Sequence, residues 1–216
     1  IFFLICLIPA GLIAGTLISE IIIILLSIIY LVKFRKKIFN EKLKPLLFVL
    51  LFIWFYLIIN LIFSINYNNS LLRNLFFVKY LIFVLGTIHF LTLKKYRIKY
   101  IFYFWIVILF FFSVDLYYQF IFKENIFGYS TKIPAHRASG LMFDELKAGS
   151  LLFGISLIPV IFNIKYSDKN HKFLFIFLLF FFVLAIYVTG ERGNFLKCLT
   201  LVFPLIFFVR KKNYLK

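Results

Sequence analysis

Apolar runs close to the roughly 20 residues that a helix needs to cross about 30 Å of hydrocarbon recur from one end of this chain to the other, broken only by short polar turns. That feature narrows the possible folds more than any other. With hydrophobic residues at 64%, aromatics at 22%, charged residues at 15% and a mean hydropathy of +1.03, too little polar surface remains to coat a water-soluble domain. Transmembrane barrels are written in short segments of alternating polarity, a pattern absent here. The expected fold is all-α: a polytopic transmembrane helix bundle forming one membrane domain over 1–216.

A net charge of +17 would suit a nucleic-acid binder if it were spread over a soluble surface. Instead, 17 of the 25 basic residues fall in four clusters, at 33–44, 94–99, 165–172 and 210–216. The clusters occupy every second loop, the arrangement in which Lys and Arg stay on the cytoplasmic side. Nucleic acid is therefore not an expected partner, and both termini are expected in the cytoplasm. The outer half carries eight basic residues against six acids, a near balance that suits a polar site beside the membrane.

The runs divide into about eight spans, at 1–17, 20–33, 45–64, 71–93, 100–122, 148–164, 173–189 and 194–209. The first two read as a hairpin of short helices interrupted by Pro9, Gly11 and Gly15 and turning near Ser19 and Glu20. Pro45 opens the third, a position where a missing N–H costs no helical bond. The main external loop is 123–147, with His136, Arg137, Asp144 and Glu145, and a short outer turn, Gly190, Glu191, Arg192 and Gly193, joins the last two spans. Cys6 and Cys198 lie in apolar runs, where a thiol behaves as a small hydrophobe. The chain begins with Ile and shows no cleavable signal peptide, so the expectation is a portion of a longer protein, incomplete at both ends.

Arg73, Lys79, Asp115 and Lys197 fall within the predicted spans, near the outer side. A charge at bilayer depth costs about 2.5 to 3.5 kcal/mol on insertion scales, so each needs a partner, water or a route to the interface. Arg73 and Lys197, close to helix ends, can extend their charged tips to the headgroups. Asp115 and Gln119 lie one turn apart and share a face. An ion pair between Asp115 and Lys79 would tie two helices together.

Five stretches carry more specific information: LIPAGLIAG at 7–15, SLLRNLFFVKY at 70–80, DLYYQFIFKENIFGY at 115–129, R-x-S-G followed by DE-x-x-x-GS at 137–150, and TGERGN at 189–194. In these the chain resembles the O-antigen ligase and polymerase superfamily, bacterial membrane glycosyltransferases that act on undecaprenyl-diphosphate-linked saccharides in lipopolysaccharide biosynthesis. The resemblance implies a multi-pass protein of the bacterial inner membrane with its active face periplasmic. It implies a glycan or lipid A-core acceptor, membrane lipids as surroundings and no cofactor. Family arginines in the external loop and in the later turn contact the lipid diphosphate, and by motif those are Arg137 and Arg192. Ligases of this kind carry a catalytic His in a later external loop that these 216 residues do not reach. The chain alone is therefore expected to be inactive, and ligase and polymerase remain alternatives.

Elementary chemistry supports the same arginines. A diphosphate leaving group gains charge as the glycosidic bond breaks, and a planar guanidinium binds its oxygens in a two-pronged way that Lys cannot. Arg73, Lys79 and Lys197 are weaker candidates for that anionic site, with Asp115, Gln119, Asp144, Glu145 and Glu191 in supporting positions. The plainer alternative is solvated ion pairing, of Arg137 with Asp144 or Glu145 and of Arg192 with Glu191. Asp144 and Glu145 also precede a helix, whose N-terminus favours negative charge. His136 has the unperturbed pKa of a general base, although a single loop histidine is ordinarily just solvated. His89 and His171 fall near cytoplasmic clusters. No metal-ligand spacing is visible, so no metal is expected.

The expected function is transfer of an undecaprenyl-diphosphate-linked saccharide onto an acceptor hydroxyl. The alternative is a transporter or flippase for an anionic lipid or solute, which would need polar groups through the bilayer midplane; a non-catalytic membrane subunit is a third class. Orientation is testable with Ser130→Cys and Ser167→Cys variants labelled in intact cells by a membrane-impermeant thiol reagent. Label is expected at position 130 and not at 167; the opposite result reverses the topology.

Overall fold

Backbone amides in hydrocarbon have no water to bond, so a chain this apolar must satisfy them within each segment. The computed structural model accordingly consists of helices and turns. It describes residues 1–34, 44–63, 67–130, 137–143, 147–166 and 169–211, and among these the one extended pairing is an isolated antiparallel bridge between Glu124 and Ser130. The helices are α1 (Phe2–Cys6), α2 (Ile8–Ala14), α3 (Thr16–Phe34), α4 (Lys44–Asn60), α5 (Tyr67–Leu75), α6 (Val78–Leu93), α7 (Lys95–Phe122), α8 (Ala148–Tyr166), α9 (Lys169–Val188) and α10 (Arg192–Lys211). Short 3-10 turns lie at Leu61–Phe63 and Gly140–Met142. Four stretches, Thr16–Lys33, Lys44–Phe63, Ser70–Leu93 and Arg97–Phe122, are long and apolar enough to cross a membrane, and Ala148–Ile164 and Lys172–Val188 are shorter apolar helices. This is a membrane protein.

The turn between the first two expected spans falls at Gly15 rather than near Ser19, because Gly15 adopts φ 130° and ψ 167°, a conformation that a Cβ strongly disfavours. Ser19 and Glu20 instead lie inside α3. The expected span 71–93 matches the apolar stretch Ser70–Leu93, within which a turn at Phe76 and Phe77 separates α5 from α6. Through that division the backbone stays paired by tight three-residue bonds, Phe77 N to Asn74 O at 3.3 Å, Lys79 N to Phe76 O at 3.2 Å and Tyr80 N to Phe77 O at 3.0 Å.

The helices cluster into two compact units, 1–5 with 17–98 and 6–16 with 99–216. In the first, Leu26 and Tyr30 of α3 are fully buried, and Ser27 Oγ donates to the Lys79 carbonyl at 2.9 Å. Glu20 is paired with Lys79 and also accepts the Tyr80 hydroxyl. Helix α4 buries none of its side chains. Polar bonds join it to α5: Trp54 Nε1 donates to the Asn74 carbonyl at 3.1 Å, and Asn74 Nδ2 donates to the Leu57 carbonyl at 2.8 Å. Lipid tails are as apolar as Leu, so such directional bonds add to the van der Waals packing that associates helices here.

In the second unit the core is a stripe of α9, Phe175, Leu178, Leu179, Phe182, Val183 and Ile186, set against Leu152, Val160 and Ile164 of α8 and Leu109, Phe112 and Leu116 of α7. The stripe follows helical spacing. The opposite face of α9, with Phe173, Phe177, Phe180, Leu184 and Tyr187, is exposed and equally apolar, which suits lipid and not water. Tyr117 of α7 donates its hydroxyl to the Phe181 carbonyl at 2.7 Å, fixing α7 against α9.

The α4 contact is testable. Asn74→Leu replaces the side-chain amide by an apolar group of similar branching and so removes the bond to Leu57, and should lower stability by about 1 kcal/mol. In a Trp105→Phe background the Trp54 emission should shift with it. Unchanged unfolding and unchanged emission would show that α4 is held in another way.

Candidate functional site

Helix α7 ends where Lys123 takes a positive φ of 68° and its amide bonds back to the Gln119 carbonyl at 2.9 Å. The Lys123 ammonium donates to the Phe120 carbonyl at 3.1 Å, placing positive charge at a helix C-terminus. Beyond it, Asn125 organises a tight turn. Its Oδ1 accepts the Phe127 and Tyr129 amides at 3.1 and 2.8 Å, and its Nδ2 donates to the Gly140 carbonyl at 3.3 Å.

Asp115 and Gln119 point inward from the last turns of α7, with 0% and 3% of their surface exposed. Asp115 Oδ1 accepts the Ile126 amide at 2.9 Å. Gln119 Oε1 accepts two successive amides, Ser139 at 2.8 Å and Gly140 at 2.7 Å. The segment after Arg137 is therefore gripped by its backbone, with Ala138, Ser139 and Gly140 all buried. Gly140 is required here: its φ is 58°, and a Cβ would stand 2.8 Å from Asp115 Oδ2. Within the second unit Asp115 serves as a backbone acceptor, and within the first Lys79 pairs with Glu20.

A second cluster joins residues about 40 positions apart. Glu191 Oε1 accepts the Gly149 amide at 2.9 Å in the first turn of α8, and Oε2 accepts the Ser150 hydroxyl at 2.8 Å and the Asn194 side-chain amide in the first turn of α10. Asn194 Nδ2 also donates to Ser150 Oγ at 2.8 Å. The carboxylate therefore caps the N-terminus of α8, where unpaired amides and the helix dipole favour negative charge, and reaches α10 through the Asn194 side chain. The alternative pairing of Glu191 with Arg192 is not formed; the carboxylate is occupied by these three donors.

These clusters flank a pocket of about 450 Å³ lined by Arg137, Gly190, Glu191, Arg192, Gly193 and Asn194. Arg137 is half-buried, and its Nε is buried without a partner among the described residues. Arg192 is exposed at the start of α10. Two arginines and the N-terminus of α10 line it, a concentration of donors able to bind an anion with several oxygens. Lys197 lies further along α10, exposed and outside the lining; Arg73 and Lys79 belong to the first unit. His136, Asp144 and Glu145 lie outside the described residues. Asn125, Gly149, Ser150 and Asn194 were not legible as functional, although all sit within the stretches that carry the resemblance. No protein-family model, curated protein or solved structure matches the chain.

If Gln119 grips the Arg137 segment, Gln119→Leu leaves two buried amides without an acceptor, at a cost of about 1 to 3 kcal/mol each. Hydrogen exchange at Ser139 and Gly140 should accelerate at least about tenfold while α9 amides stay protected. Equal exchange in both proteins would remove Gln119 from that role.

Proposed function

We propose that the chain is a membrane glycan transferase of the O-antigen ligase or polymerase type, with the Arg137–Arg192 pocket as the seat of a lipid-linked diphosphate. The observation that carries this reading is the convergence of Arg137 and Arg192 on one pocket in which the one lining carboxylate among the described residues, Glu191, is bonded to backbone and side-chain donors. In the proposed reaction an acceptor hydroxyl oxygen bonds to the anomeric carbon of an undecaprenyl-diphosphate-linked saccharide. The bond from that carbon to the diphosphate breaks, and its electron pair goes to the leaving oxygen. Guanidinium donors facing that oxygen meet charge as it develops, a contribution worth roughly 10² to 10³ in rate. A separate base takes the hydroxyl proton. In this reading the chain is a bacterial inner-membrane protein of about eight spans, with both termini cytoplasmic, the pocket periplasmic and a glycan or lipid A-core sugar as acceptor.

The transporter alternative would draw on charges within the spans. The pair within candidate spans that bears on it, Glu20 with Lys79, is closed on itself and further bonded to Tyr80. That arrangement favours a structural tie.

Binding to the chain in lipid nanodiscs tests the proposal. A polyprenyl diphosphate should bind, and the uncharged polyprenol should not compete. Arg137→Lys and Arg192→Lys keep the charge but lose the fork, so each should weaken binding by about tenfold, and each Ala variant further. Exposed ion-pair residues contribute only about 0 to 1 kcal/mol. Well-folded Ala variants that bind as tightly as wild type would sink the proposal.

A further inference from the structure

A carboxylate in the wall of an anion pocket is paradoxical. By charge alone Glu191 repels the ligand proposed above, and a neutral residue in its place would bind anions better. The geometry points to the opposite: we propose that Glu191 is a positioning residue, holding α8 and α10 so that Arg192 faces Arg137 across the pocket. This assignment rests on the diphosphate reading.

The bonding around Glu191 is complete. Its two oxygens accept from Gly149 N, Ser150 Oγ and Asn194 Nδ2, and Asn194 closes the ring by donating to Ser150 Oγ. Its own carbonyl accepts the Asn194 and Phe195 amides at 3.0 and 3.1 Å, so the residue starts α10 as well as bridging to α8. Helix α8 approaches so closely that a Cβ on Gly149 would stand 2.5 Å from Thr189 Oγ1 and 3.0 Å from Glu191 Cδ. Arg192 is the next residue, so any displacement of the carboxylate moves the guanidinium directly. Three donors aimed at one group require an acceptor on both oxygens. Gln offers one oxygen and turns its own N–H groups toward donors. Asp keeps the charge but is one methylene too short to reach α8.

Charge and position therefore predict opposite signs for the same substitution. With the full chain in nanodiscs of neutral lipid, inorganic pyrophosphate and orthophosphate serve as probes. Glu191→Gln and Glu191→Asp are expected to weaken pyrophosphate binding about tenfold or more while orthophosphate binding changes little, because one guanidinium still meets a single phosphate. Ser150→Ala with Asn194→Ala, which leaves Glu191 charged but loosens it, should reproduce the loss of preference and covers the case in which Glu191→Gln does not fold. Equal or tighter pyrophosphate binding by Glu191→Gln overturns the Glu191 assignment and leaves the diphosphate site standing. Parallel loss of both probes also overturns it, reducing Glu191 to a folding role. A wild-type chain that binds neither probe overturns both.

Discussion

A backbone N–H withdrawn from water must find an acceptor, and in a membrane protein the helix supplies one everywhere except in its first turn and in the connections. This chain meets the shortfall with side-chain oxygens. Gln119 takes the Ser139 and Gly140 amides, Asp115 takes Ile126, Asn125 takes Phe127 and Tyr129, and Glu191 takes Gly149. The loop after α7 and the start of α8 are shaped by these bonds.

The same bonds settle the electrostatics. An acid engaged with N–H donors keeps its place and is not free to swing onto a neighbouring cation. Glu191 so engaged leaves Arg192 without it, and the proposed pocket stays rich in donors. In the first unit the opposite choice is made: Glu20 pairs with Lys79, and Tyr80 adds a third bond. A lysine that sequence offers as a candidate for an anion site is there a structural tie between α3 and α6. Whether a membrane-depth charge binds ligand or binds protein is thus decided by which partner packing delivers to it.

The helices and their lipid-facing character follow from sequence, since the demand to bond the backbone is local and the apolar faces of α4 and α9 are visible as composition. The small-residue turn at 189–194 and the R-A-S-G segment are visible too, because only particular residues suit tight turns. Other features depend on groups brought together by folding. Sequence offers several breakers between Pro9 and Glu20, and the structure uses Gly15, whose φ a Cβ would disfavour. Asp115 has two plausible fates, a lysine or a backbone amide, and 11 residues along the chain Ile126 proves to be the partner. Glu191 finds its acceptor role 42 residues away, at the start of α8. A hydrogen bond acts over about 3 Å and sequence orders groups only along the chain, so sequence determined which segments are helices and which residues could bear charge, and tertiary packing alone decided whom each of those residues meets.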